Sequence, residues 1–128
     1  MIQSIISMEQ YTTGRYAVSD DKVVVVSVAD YTIAPGARYR EDGDGNATEF
    51  YERYVLKSLK KAVKTNQDFV IDLDSTYGYA SSFISELAMR IATEFDKEWI
   101  KEHLDIKSDD DPIAYEGFWN EFNKDYTK

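Results

Sequence analysis

The chain has 128 residues, of which 43% are hydrophobic, and its formal net charge is −9. This length and this hydrophobic fraction predict one globular domain with a core of its own. There are no cysteines, which excludes disulfides, thiolate metal sites and cysteine nucleophiles. The excess of acidic residues argues against nucleic acid as a partner, because proteins neutralise its phosphates with Lys and Arg.

The first ten residues, MIQSIISMEQ, carry neither the basic segment nor the long apolar run of a signal peptide. No stretch of the sequence reaches the roughly 18 apolar residues that span a membrane. We therefore expect a cytoplasmic protein with no membrane partner. Residues 1–21 contain short candidate strands and turns, and they predict an N-terminal β extension that precedes a core at 22–124.

The core begins with the strongest strand signal of the chain. Lys22–Val28 contains four consecutive valines, and this unbroken apolar run predicts a strand buried on both faces rather than one at the edge of a sheet. Tyr31–Asn46 is rich in Gly and contains Pro35, which predicts an irregular loop. Asn46 is a favourable N-cap, and Glu49 stands at the capping-box position of a helix predicted from about Ala47 to Lys64.

A second strand–turn–helix unit follows. Phe69–Leu73 is a short apolar strand, and Asp74–Ala80 contains the polar and Gly residues of a turn. Ser82–Phe95 then repeats apolar residues at helical spacing, which is typical of a helix packed against a sheet. The serine pair at 81–82 suits the start of this helix, because serine is a preferred N-cap residue.

The last predicted elements are a short strand at Leu104–Lys107 and a helix that Asp111 caps, with Pro112 at its first position. We predict that Ile113 lies on the apolar face of that helix, together with Tyr115, Phe118, Trp119 and Phe122. Strands that alternate with helices of these lengths predict βαβ crossovers. The expected fold class is therefore α/β, with a largely parallel sheet packed against helices and with the N-terminal β region beside it.

Three segments in this order resemble one family. They are PGARY at 35–39 with Gly43, VIDLD at 70–74 with GYASSF at 78–83, and IKS at 106–108 before Asp111 and Pro112. Over about Val23 to Phe122 the chain resembles bacterial STAS-like domains, relatives of the sulfate-transporter and anti-sigma-factor-antagonist fold. The resemblance implies a single STAS-like domain over residues 1–128.

The resemblance also implies a function. In anti-sigma factor antagonists a serine at the start of this helix is phosphorylated by a kinase that doubles as an anti-sigma factor. The equivalent position here is Ser81, with Ser82 next to it, and Ala80 stands where the antagonists carry an Asp. The implied partner is a histidine-kinase-type ATPase or an anti-sigma-like protein. The residues expected to contact it are Arg38, Arg40, Asp74, Tyr77 and Tyr79.

Two functional hypotheses stay open at the sequence level. The first is a regulatory module without catalytic residues, cofactor or metal, switched by serine phosphorylation. The second is an enzyme or small-ligand binder that uses Asp72, Asp74, Arg38 and Ser81 in one cleft, where the two carboxylates would suit Mg²⁺ and the arginine would suit a phosphate. The chain has no P-loop, dinucleotide fingerprint, zinc motif or nucleophile elbow, which favours the module. Its ten tyrosines also leave room for a homodimer.

Overall fold

The structure is a computed structural model that describes residues 23–126. Strands and helices alternate along this range, and the N-terminal β extension predicted for residues 1–21 lies outside it. None of the helices in the described range is long and apolar enough to cross a membrane. The elements, in chain order, are β1 (Val23–Ser27), α1 (Ala47–Phe50), a π-helical turn (Tyr51–Val55), α2 (Leu56–Thr65), β2 (Asp68–Asp72), α3 (Ser81–Glu94), α4 (Lys97–His103), β3 (Leu104–Lys107) and α5 (Pro112–Phe122).

The described strands form one parallel sheet in the order β1-β2-β3. The predicted α/β class with a parallel sheet is confirmed. The prediction that β1 is buried on both faces is wrong, because Val25 is 44% exposed. Among the described strands β1 pairs with β2 alone, and β2 is the central one, with Phe69, Val70 and Ile71 fully buried. A run of valines indicates a strand but does not show whether both of its faces are covered.

One face of the sheet carries the core. The strand register aligns Val24 with Phe69 and Phe69 with Leu104, so these side chains project from the same face, as do their neighbours two residues further along. The helices cover this face, and α3 contacts both α1 and α5. The sheet side of the resulting core consists of Val24, Val26, Phe69, Ile71, Leu104 and Ile106.

The helix predicted from Ala47 is present and continuous from 47 to 65, with the π-helical turn in its middle. Asn46 caps it as predicted, because its Oδ1 accepts the backbone N–H of Glu49 at 2.7 Å. The helix ends where Asn66 adopts a left-handed conformation with φ of 55°, a backbone state that Asn tolerates better than most residues.

The last helix also begins as predicted. Asp111 Oδ1 accepts the N–H of Ala114 at 3.1 Å, and Pro112 occupies the first turn. The apolar face predicted for it is wrong at Ile113, which is 80% exposed. The buried stripe runs through Ala114 and every fourth residue after it, Phe118 and Phe122, and Ile113 lies one position outside that spacing.

Candidate functional site

The loops that follow the strands meet at one edge of the sheet, because parallel strands all end on the same side. The loop after β1 and the turn after β2 are joined by backbone hydrogen bonds. Tyr77 N donates to Ile33 O at 2.8 Å, and Ala80 N donates to Pro35 O at 3.2 Å. The fold therefore brings the Arg38 loop (residues 33–40) next to the turn that leads to Ser81.

The serine pair opens α3 but does not cap it. Ala80 is the N-cap, with extended φ and ψ of −70° and 140°, and its side chain offers no acceptor. Ser81 is exposed in the first helical position, and Ser82 beside it is half-buried. The interpretation of these serines as capping residues is wrong, since the cap falls one residue earlier. The N-terminus of α3 keeps its partial positive charge without a side-chain acceptor at the cap.

A pocket of about 150 Å³ lies beside Ser81, between α3 and α5. Ile84 and Ser85 line it from α3, while Ile113, Ala114 and Gly117 line it from α5. Tyr79, Ser81 and Asp111 complete its rim. Most of its surface is therefore apolar, and no basic residue lines it.

The two loop arginines make ion pairs with helices rather than with their own loop. Arg38 Nη1 lies 3.4 Å from Glu86 Oε1 of α3, and Arg40 Nη1 lies 2.6 Å from Glu52 Oε1 of the π-helical turn. Both arginines fix the loop onto the helices that flank Ser81.

Glu86 is a residue of this region that the sequence reasoning missed. It is 3% exposed, although it carries a charge on a helix that is otherwise apolar on its inner side. Arg38 approaches it from the loop at 3.4 Å, and Arg90 approaches it from the next helical turn at 3.7 Å. The i,i+4 spacing of Glu86 and Arg90 was the available signal. The burial of an acid requires such partners.

Asp72 and Asp74 belong to a structural cluster at the ends of β2 and β3. Asp74 is buried and accepts hydrogen bonds from Lys107 Nζ at 2.6 Å and from the N–H of Asp110 at 2.8 Å. Burial lowers the pKa of Lys107, but its hydrogen bonds to Asp74 and Asp109 outweigh burial and hold that pKa above its ordinary value of 10.5. Asp72 Oδ1 in turn accepts the N–H of Asp74 at 2.9 Å.

The two tyrosines of the turn differ in their burial and in their contacts. Tyr77 is 84% exposed. Tyr79 is half-buried, packs against Phe83 with ring centroids 5.6 Å apart, and donates its hydroxyl to Leu73 O at 2.8 Å. Burial raises the pKa of the Tyr79 hydroxyl above its ordinary value of 10.0, so this hydroxyl stays a donor. Tyr79 therefore holds the turn, while Tyr77 projects from it.

The predicted residues thus share one edge of the sheet but do not converge on one cleft. Of Arg38, Asp72, Asp74 and Ser81, only Ser81 lines the pocket. Across residues 23–126, no group of three or more His or acidic side chains is arranged to hold a metal ion. Arg38 and the carboxylate of Asp74 make contacts inside the protein, whereas Tyr77, Ile113 and Ser81 are among the exposed residues at this edge, as is Arg40.

Comparison with known protein families found a match for this chain. A family model described as STAS-like domain of unknown function (DUF4325) matches residues 50–114. The match runs from the end of α1 to the first turn of α5. It includes β2 with Asp72 at its end, the turn after it with Asp74, and Ser81. No curated protein and no solved structure matched the chain.

The uncapped start of α3 predicts that Ala80→Ser stabilises the protein. The backbone of Ala80 is already extended, as an N-cap requires, so a serine hydroxyl would accept a free N–H of the first turn. We expect a gain of about 1 kcal/mol in the free energy of unfolding, measured by urea denaturation. Ala80→Val, which offers no acceptor at the same position, is the control. An equal gain in both variants would contradict the capping explanation.

The partial burial of Asp72 predicts that the effect of Asp72→Asn on the free energy of unfolding depends on pH. Burial raises the pKa of Asp72 above its ordinary value of 3.8, so ionisation of this carboxyl costs stability in the folded protein. That cost is present above the pKa of the folded protein and disappears as the pH falls through it toward 3.8. Asn retains an oxygen that accepts the Asp74 N–H.

We therefore expect Asp72→Asn to be more stable than the wild type at neutral pH. The difference in the free energy of unfolding should shrink as the pH falls through the raised pKa of Asp72 toward 3.8, and it should be absent below that pH. Urea denaturation across this pH range measures it. Asp44→Asn, at an exposed position of the loop, is the matched control. A difference that does not change with pH would show that the charge of Asp72 is not the cause.

Proposed function

The chain belongs to the STAS-like domain family (DUF4325), and we propose that it is a non-enzymatic regulatory module. It binds a protein partner through the surface around Ser81 and the Arg38 loop. The observation that carries this proposal is the exposure of apolar side chains on two loops that hydrogen bonds join, and on the first turn of α5 beside Ser81. This surface comprises Ile33, Tyr77, Ser81 and Ile113.

The apolar side chains of this surface favour a protein partner. Tyr77 and Ile113 are the most exposed large hydrophobic residues of the described range, and Ile33 is about half exposed. Ile33 lies next to Tyr77 through the hydrogen bond between their backbones. Tyrosine is enriched among the residues that dominate binding at interfaces. Because hydrogen bonds already order the two loops against each other, binding of a partner would cost little additional conformational entropy.

The enzyme or small-ligand hypothesis has less support. Its four residues would need to face one cleft, but Arg38 is paired with Glu86, and Asp74 is paired with Lys107. Ligand crevices in open α/β sheets form where the strand order reverses. The described strands follow the order β1-β2-β3 without a reversal.

A histidine-kinase-type ATPase or an anti-sigma-like protein is the partner that the family resemblance suggests. In this proposal the partner phosphorylates Ser81 and thereby changes its own affinity for the module. Ser81 is exposed at the N-terminus of a 14-residue helix whose cap has no side-chain acceptor. Free N–H groups and the helix dipole suit a phosphate at this position, and the added charge of nearly two units alters any interface around it.

Site-specific photo-crosslinking tests the proposed surface. A photoreactive phenylalanine analogue at Tyr77 should crosslink a single protein in the cell of origin, identified by mass spectrometry. The same analogue at Lys57, an exposed position of α2, is the control and should not capture that protein. Equal capture from both positions, or no specific product from Tyr77, would refute the proposed surface.

The phosphorylation step is tested with the captured partner and ATP. Intact-mass spectrometry should find one added phosphoryl group on the wild type and on Ser82→Ala, and none on Ser81→Ala. Ser81→Asp should change the affinity for the partner by about tenfold, because a charge at an interface is worth about 1.4 kcal/mol or more. An unmodified Ser81, or an unchanged affinity of Ser81→Asp, would refute the phosphorylation switch but not the proposed binding surface.

A further inference from the structure

We infer that the pocket between α3 and α5 receives one large apolar side chain from a basic segment of the protein partner. This inference rests on the proposed function and deepens it, because it names the chemistry of the partner at the same surface. The pocket adjoins Ser81 on one side and the exposed Ile113 on the other.

The size and lining of the pocket fit a side chain. Its volume of about 150 Å³ is well below the roughly 300 Å³ at which sites for whole small molecules begin. Ile84, Ala114 and Gly117 form apolar walls, and Ser81 and Ser85 add hydroxyl groups. Such a site can bury one aliphatic or aromatic group, and a buried side chain of this kind commonly dominates the binding energy of an interface.

Gly117 supports a binding role for the pocket. It lies in the interior of α5, where glycine is among the least favourable residues. Packing does not require it: a Cβ placed there would meet Ile84 Cγ2 at 3.7 Å, an ordinary van der Waals distance, and its φ is not in the left-handed region. Because Gly117 has no side chain, it leaves more space in the pocket than any other residue would at this position.

The charge around the pocket selects a basic partner. Asp111 lines the pocket, Asp109 and Asp110 precede it in the same loop, and Glu116 is exposed on α5 next to Gly117. Lys107 is the basic residue of this neighbourhood, and it is held by Asp74 and Asp109. The chain as a whole carries a net charge of −9, which adds to the attraction for a basic segment and speeds its encounter.

Peptide selection against the full chain tests this inference. A random peptide library is selected on the wild type and then on Gly117→Leu, in which the new side chain fills the pocket. We expect the enriched peptides to carry one large apolar residue flanked by Lys or Arg. A synthetic consensus peptide should bind Gly117→Leu about tenfold or more weakly than the wild type by fluorescence anisotropy, as expected for the loss of an anchor residue.

Additional variants and a folding check keep the result interpretable. Circular dichroism and thermal melting establish that Gly117→Leu is folded, and Gly117→Ala, which adds a single methyl group, should lose less affinity. Glu116→Gln should weaken binding of the peptide at low salt and less at high salt, because salt screens exposed charges. The matched control Glu102→Gln, at an exposed position of α4, should leave binding unchanged.

Several outcomes would overturn the inference. They are an acidic or uncharged consensus, the absence of any enriched peptide, and equal binding to the wild type and Gly117→Leu. A consensus that matches the basic face of α2, where Lys60, Lys61 and Lys64 surround Val63, would identify a second copy of this chain as the occupant. If a partner still crosslinks at Tyr77 but binds Gly117→Leu normally, the pocket inference fails and the proposed function stands.

Discussion

The parallel pairing of the strands is the constraint on which the rest of the structure depends. It places the ends of β1, β2 and β3 at one edge of the sheet, so the loops that leave these strands gather there. Leu73 N donates to Lys107 O at 2.7 Å, which extends the contact between β2 and β3 past the end of β2. The ion pair of Lys107 with Asp74 then fixes the start of the turn that leads to Ser81.

Local signals made much of this fold predictable. Asn46, Asp111 and Pro112 mark helix starts through hydrogen bonds and backbone geometry within a few residues of themselves, and the sequence places such signals correctly. Contacts between residues that are far apart in the sequence could not be predicted. Glu86 is buried beside Arg38, which lies 48 residues away in the chain. Val25 of β1 is exposed because of how other elements cover the strand, which an apolar run does not encode. The prediction for Ile113 failed for a related reason. An apolar residue one position away from a buried stripe cannot be told apart from a member of that stripe by its type alone.

The sequence allowed the candidate residues to be placed at one edge of the sheet, but it did not reveal the contacts that they make there. The charged residues that suggested a cleft, Arg38 and Asp74, are used to hold loops and strand ends together. Breaking such a pair would leave a partly buried charge without its partner, which explains why these residues are needed even without a ligand. The large hydrophobic residues most exposed at this edge are Tyr77 and Ile113, with acidic residues around them. Burial of apolar side chains is also the main source of favourable free energy in protein association.

The position of Ser81 makes the proposed basic partner compatible with the proposed regulation by phosphate. A phosphoryl group there would add negative charge to an already acidic surface and so attract a basic segment. It would also stand at the mouth of a pocket of only about 150 Å³ that Ser81 itself lines. The attraction acts between exposed charges and is screened beyond about 8 Å at physiological salt, whereas the volume that the group occupies is not screened. If the proposed partner places an apolar side chain in the pocket, we therefore expect its exclusion to outweigh the added attraction, so that phosphorylation of Ser81 would oppose binding.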